Sequence, residues 1–209
     1  MSYLGSTLAG VSAAAMLFNS ATLIMGTFGT ATVAAHQIAL IIPSITFMVP
    51  LGIGMAATVR VGLGAGAGDS EAARRSGYVA MMIGAGFMCL MAVVLWTWPE
   101  QIASIWFSDP SANKDVIAIA VVFLRVAAVF QVVDGLQVVA ALSLRGLKDA
   151  RAPMWIAGAS YWLAGAPVCV WLAFGLHMGG LGIWIGLAFG LLVAAAAMCG
   201  RFWYLSRER

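Results

Sequence analysis

Charge is the scarcest feature of this sequence: Asp, Glu, Lys and Arg make up 9% of its 209 residues, while 63% are hydrophobic. A mean hydropathy of +0.99 with so little charge excludes a soluble globular domain and makes lipid the solvent. Cysteine is sparse as well. Cys89, Cys169 and Cys199 all lie inside apolar runs with no CxxC or metal-ligand spacing, which excludes a disulfide framework and a zinc site. No HExxH, paired aspartates or glycine-rich loop followed by lysine is present, so metalloprotease and nucleotide chemistry have no footing and no metal or cofactor is expected. Ser160, in Gly158-Ala159-Ser160-Tyr161, lacks the second glycine of a nucleophile elbow and an activating histidine. No stretch alternates apolar and polar residues with period two, which removes a β-barrel. The basic residues form no single patch, so nucleic acid is not an expected partner. The first apolar stretch has no basic leader before it, and insertion is expected to use the first span itself.

What is present is a series of long apolar runs. A bilayer core of ~30 Å takes roughly 20 apolar residues per helix, and the runs divide the chain into six expected spans at about 3–26, 31–63, 72–98, 115–144, 152–175 and 179–203. The fold class is therefore an all-α integral membrane protein, a bundle of six transmembrane helices forming one membrane domain over 1–209 with the lipid bilayer as its partner. Gly26-Thr27-Phe28-Gly29 and Gly64-Ala65-Gly66-Ala67-Gly68-Asp69-Ser70 are expected hairpins, with Asp69 or Ser70 capping the helix that follows. A short amphipathic piece at 101–107, with Trp96, Trp98 and Trp106, suits the membrane interface. Arg60, Arg74, Arg75, Arg145, Lys148, Arg151, Arg201, Arg207 and Arg209 fall on one side of the expected topology, against Lys114 on the other. The positive-inside rule then makes that side, with both termini, cytoplasmic in the cell membrane.

Asp134 is the most informative residue, because it falls near the middle of the fourth span in Phe130-Gln131-Val132-Val133-Asp134-Gly135-Leu136-Gln137. A carboxylate at a helix centre costs about 2.5–3.5 kcal/mol to insert, so such residues face a bundle interior or a wet cavity and handle protons or ions. A hydrogen-bond clamp between helices is the structural alternative. At 100° per residue Gln131 and Gln137 each fall about 60° from Asp134, and the three are expected to share one broad polar face. His36 and Gln37, at the start of the second span, are further candidates for a polar lining. Pro43 and Pro50 in the second span and Pro167 in the fifth each remove a backbone donor and are hinge candidates, although small and kinking residues are common in membrane helices for packing alone. Twelve methionines and eight tryptophans offer an adaptable wall for organic cations, or simple lipid-facing bulk.

Several ordered segments resemble one transporter family. They are Met25-Gly26-Thr27-Phe28-Gly29 with Ala34-Ala35-His36-Gln37-Ile38-Ala39-Leu40, then Val59-Arg60-Val61-Gly62 with Gly66-Ala67-Gly68-Asp69 and Ala73-Arg74-Arg75. Trp106-Phe107-Ser108-Asp109, Asp134-Gly135-Leu136-Gln137, Leu144-Arg145-Gly146-Leu147-Lys148-Asp149, Tyr161-Trp162 through Pro167, and Gly180-Leu181-Gly182-Ile183-Trp184-Ile185-Gly186-Leu187 follow. The set resembles the multidrug and toxic compound extrusion (MATE) family, and it matches the second of that family's two six-helix lobes.

The resemblance implies one lobe of a twelve-helix transporter that exports drugs or other xenobiotics, organic cations among them, in exchange for H⁺ or Na⁺. It also implies that Asp134 matches an acidic residue used in cation coupling. A second six-helix lobe is the expected partner, supplied by a homodimer or a separately encoded N-terminal half. The position where many members carry a glutamate is Ala14 here, which puts one of the usual coupling carboxylates in doubt. Lipid-linked sugar flipping, an inactive fragment, a non-transporting scaffold and an intramembrane enzyme are the other readings; no catalytic set of residues supports the last.

Overall fold

A computed structural model describes residue 16 and residues 19–208. Five stretches among them are long and apolar enough to cross a membrane: Thr30–Gly66, Ser70–Thr97, Pro110–Gly146, Arg151–Gly175 and Gly180–Arg207. The expected first span and Ala14 lie largely outside the described residues, although residues 19–25 are helical.

The 3-10 turn Gly26–Phe28 ends at Gly29, whose φ of 102° is a conformation that glycine adopts without strain. From there the chain enters α1 (Thr30–Thr46) and then α2 (Met48–Gly66), which meet at Phe47. Pro50 explains the break: it has no N–H to give the Thr46 carbonyl, and as the third residue of α2 it sits where a missing donor is tolerated. Pro43 lies inside α1, so the interruption falls between the two prolines.

Two hairpins of like construction occur, one after α2 and one before the fourth stretch. Gly68 donates its N–H to Ala65 O at 3.4 Å and Asp69 to Gly64 O at 2.9 Å, with Gly68 at φ 74°. This Schellman ending satisfies the last carbonyls of α2. The Asp69 carboxylate then accepts the Ala72 N–H at 2.9 Å and caps α3 (Ser70–Thr97). After the short α4 (Pro99–Ser104), a 3-10 turn at Pro110–Asn113 opens the long α5 (Lys114–Gly146). Asp109 caps that turn through the Ser111 N–H and hydroxyl, and these bonds hold its carboxyl below the usual range. At the end of α5, Lys148 donates to Arg145 O at 2.9 Å and Asp149 to Leu144 O at 3.0 Å. The Asp149 carboxylate accepts the Ala152 N–H at 3.3 Å, and here a lysine at φ 62° occupies the left-handed position.

The Arg151–Gly175 rod combines α6 (Arg151–Ala159), a π-helical turn at Ser160–Gly165, α7 (Ala166–Val170) and a second π-helical turn at Trp171–Gly175. Pro167, one of the hinge candidates, is exposed and stands between the two wide turns. The rod packs antiparallel on α8 (Gly180–Glu208). Gly182, Gly186 and Gly190 recur every fourth residue along α8 and face Ala173, Cys169 and Gly165, also four apart. A Cβ at Gly186 would sit 2.5 Å from the Cys169 nitrogen, and one at Gly182 2.6 Å from the Ala173 nitrogen. Small residues on both sides therefore bring the two backbones into direct contact, which is how helices associate where lipid provides no hydrophobic drive.

Long α5 runs through the middle of the bundle. Its Phe123 and Phe130 pack on Trp184 of α8 at ring-centroid distances of 5.9 and 5.8 Å, and His36 of α1 approaches the same ring edge-on at 5.6 Å. Trp184 and His36 are fully buried. The rest of the interior is built mainly from alanine and leucine, with methionine, valine and isoleucine among them.

Candidate functional site: a cavity beside α5

One stripe of α5 makes the back wall of a cavity of about 490 Å³. Phe130, Asp134, Gln137, Ala141 and Arg145 recur at steps of three and four residues, so they stand above one another on a helix of 3.6 residues per turn. Pro43, Ser44 and Phe47 close one side from the end of α1, and Pro153, Ala157 and Tyr161 close the other from the rod. The chain break at Phe47 is thus part of the cavity wall.

Among the described residues, Asp134 supplies the only carboxylate of this lining. Among the described residues no hydrogen bond or ion pair reaches it, and its partial exposure is to the cavity. Gln137 lies one turn further along α5 and donates through Nε2 to the Tyr161 hydroxyl. Its Oε1 is buried without a partner among the described residues. Arg145 lies eleven residues beyond Asp134, three turns and about 16 Å along the axis. It therefore marks the hairpin end of the cavity, and its Nε also lacks a partner among the described residues. The remaining wall is predominantly apolar. Such a lining can hold a proton or a small cation at Asp134 and an apolar or cationic organic molecule beside it.

The other candidates of the polar face are placed differently. Gln131 is fully buried and off the cavity wall, with Thr46 Oγ1 donating to its Oε1 at 3.2 Å. The reason is angular: Gln131 and Gln137 flank Asp134 on opposite sides, so turning one toward the cavity turns the other toward the Thr46 side. His36 is fully buried between Thr22, whose Oγ1 is 3.1 Å from Nε2, and Trp184; it is a packing residue here rather than a lining one. Gln37 is exposed on the surface of α1. Of the prolines, Pro43 lines the cavity, Pro50 is buried in the first turn of α2, and Pro167 is away from it.

Two cavity residues were not singled out from sequence. Tyr161 reaches the cavity from the turn where the rod becomes π-helical, a change of register that carries no distinct sequence mark. Arg145 reads as a topology-setting charge, yet its spacing from Asp134, a near-integral number of turns, placed both on one face.

The sequence profile of the MatE family matches residues 6–171. The chain is 49% identical over 209 residues to the probable multidrug resistance protein NorM of Mesorhizobium japonicum, covering 99% of this chain and 44% of that protein. It is 47% identical over 187 residues to the multidrug resistance protein NorM of Burkholderia vietnamiensis, covering 89% of this chain and 40% of the relative. The chain thus spans less than half the length of these curated relatives. In fold it resembles the Vibrio cholerae MATE transporter VcmN in its bent form, with a TM-score of 0.85 at 21% identity over 98% of this chain and 45% of the other. With the matched profile extending over most of its length, the chain belongs to the MATE family and has the fold of one of its lobes.

Proposed function

We propose that this chain is one lobe of a cation-coupled exporter, in which H⁺ or Na⁺ binding at Asp134 drives the outward passage of drug-like molecules across the cell membrane. The observation that carries the reading is the Asp134 carboxylate, without a hydrogen-bond partner among the described residues, on the apolar wall of a half-open cavity beside α5. An interhelical clamp would use a carboxylate bonded to a neighbouring helix. The names of the NorM relatives support multidrug export, and their greater length supports a second six-helix lobe as partner, either another copy or a separately encoded half. The transport needs no cofactor beyond the coupling ion and makes no chemical change in its substrate. The excess of basic residues at the two capped hairpins supports cytoplasmic placement of those loops and of both termini.

The test is efflux of ethidium from drug-sensitive cells expressing the chain alone or with an N-terminal six-helix lobe. Export that depends on an ion gradient in either arm supports the proposal, and the arm that works identifies the partner. Absence of export from both, with the chain and the added lobe in the membrane, overturns it.

A further inference from the structure

A second cavity, about 770 Å³, lies between α2 and α3 at their hairpin end. Arg60 is six residues from the end of α2 and Arg75 five residues from the start of α3, placing both about 8 Å in from the loop. That is the depth of the lipid headgroup and glycerol region, where arginine side chains lie on apolar stems. Two acidic residues also line this cavity, and both are engaged: Asp69 caps α3 through the Ala72 N–H, and Glu71 pairs with Arg74 at 2.7 Å. Neither Arg60 nor Arg75 has a carboxylate partner among the described residues. Ser76 adds a hydroxyl beside them.

Away from the loop the crevice turns apolar. Ile53 lies two turns deeper than Arg60 on α2, while Val79 and Ile83 lie one and two turns deeper than Arg75 on α3. Because the helices are antiparallel neighbours, both apolar walls extend in the same direction from the arginine end. A mouth that offers two arginines free of carboxylate partners, continuous with an apolar channel, complements a molecule with an anionic head and a hydrocarbon tail. A soluble anion would use only the mouth.

We propose that the α2–α3 crevice is a binding site for an anionic phospholipid, its phosphate held by Arg60 and Arg75 and an acyl chain laid along Ile53, Val79 and Ile83. Native mass spectrometry of the full chain in detergent tests this with phosphatidylglycerol, phosphatidylcholine of the same acyl chains, and glycerol phosphate. Phosphatidylglycerol is expected to bind roughly ten-fold or more tightly than phosphatidylcholine, as two interfacial arginines provide, with glycerol phosphate weaker than either. Arg60→Gln with Arg75→Gln removes the preference, and Lys148→Gln with Arg151→Gln, in the other hairpin, keeps it. Val79→Trp fills the crevice from a lipid-facing position without changing charge and weakens phosphatidylglycerol at least about three-fold. This variant decides the matter if the double arginine variant fails to fold. Equal binding of the two lipids, a preference that survives loss of both arginines, unchanged binding in Val79→Trp, or glycerol phosphate binding as tightly as the lipid would each overturn the proposal. None of these readouts depends on transport.

Discussion

Gly186→Ala places a methyl group into the closest backbone contact between α8 and the rod. Its Cβ would stand 2.5 Å from both the nitrogen and the Sγ of Cys169 and 2.6 Å from its Cα, where ordinary contacts are 3.4–4 Å. The obstruction is largely backbone, so no side chain can turn aside, and the helices must part by about 1 Å, a gap that forfeits a quarter to a half of each nearby dispersion contact. Gly182 and Gly190 make similar contacts on either side and lose them together. Overpacking of this kind costs about 1–3 kcal/mol. Gly200 provides the control, because a Cβ there meets nothing within 4 Å and Gly200→Ala gains up to about 1 kcal/mol from helix propensity.

Cys169 reports on the same contact, being buried with its Sγ 3.3 Å from Ile183 O. In a Cys89→Ser, Cys199→Ser background, maleimide labelling of Cys169 in detergent measures how often the interface opens. A 1–3 kcal/mol loss speeds labelling from about 5-fold to over 100-fold, whereas Gly200→Ala leaves it unchanged or slower. Labelling at the parental rate in Gly186→Ala, with an unchanged melting temperature, would refute the close-contact account.

Two further substitutions probe the hairpins and the buried polar pair. Lys148→Gly relieves the left-handed backbone at φ 62° and should raise stability by roughly 0.5–1 kcal/mol, read as a higher thermal midpoint; a lower midpoint would contradict the strain. Thr46→Val leaves the buried Gln131 amide without its partner and should cost about 1–3 kcal/mol. Adding Gln131→Leu should recover part of that loss in a double-mutant cycle, and strict additivity would mean that the 3.2 Å contact carries no coupling.

Much of the fold was legible because the bilayer demands long apolar helices and the chain has few charges with which to interrupt them. The second hairpin was readable in detail: Gly68 takes the left-handed turn and Asp69 caps the next helix. The matching hairpin at 144–152 was less transparent, since Lys148 occupies the position that Gly68 fills. Pattern alone did not reveal that the rod is π-helical on both sides of α7: Pro167 marked a distortion in this span, but not the wide turns that flank it, which lie where the rod's backbone meets α8. At the site, the exceptional cost of a carboxylate in mid-span pointed to Asp134. Its neighbours were harder to assign, since a 60° offset to each side joins Gln131 and Gln137 on a helical wheel while the packed structure separates them. His36 and Gln37 resemble lining residues in sequence, yet one is enclosed by Thr22 and Trp184 and the other faces outward. Tyr161 required knowledge of which helix faces α5.

Asp134→Asn tests the central claim most directly, because it keeps the side chain's size and polarity while removing the charge that would bind and release a cation. It should be assayed in the assembly that exports ethidium, with efflux followed across a range of pH and Na⁺ concentrations. The expected result is export that collapses and loses its dependence on the coupling ion, with the variant still folded in the membrane. Full export with the same pH and Na⁺ dependence as the parent would contradict the assignment of Asp134 as the coupling carboxylate.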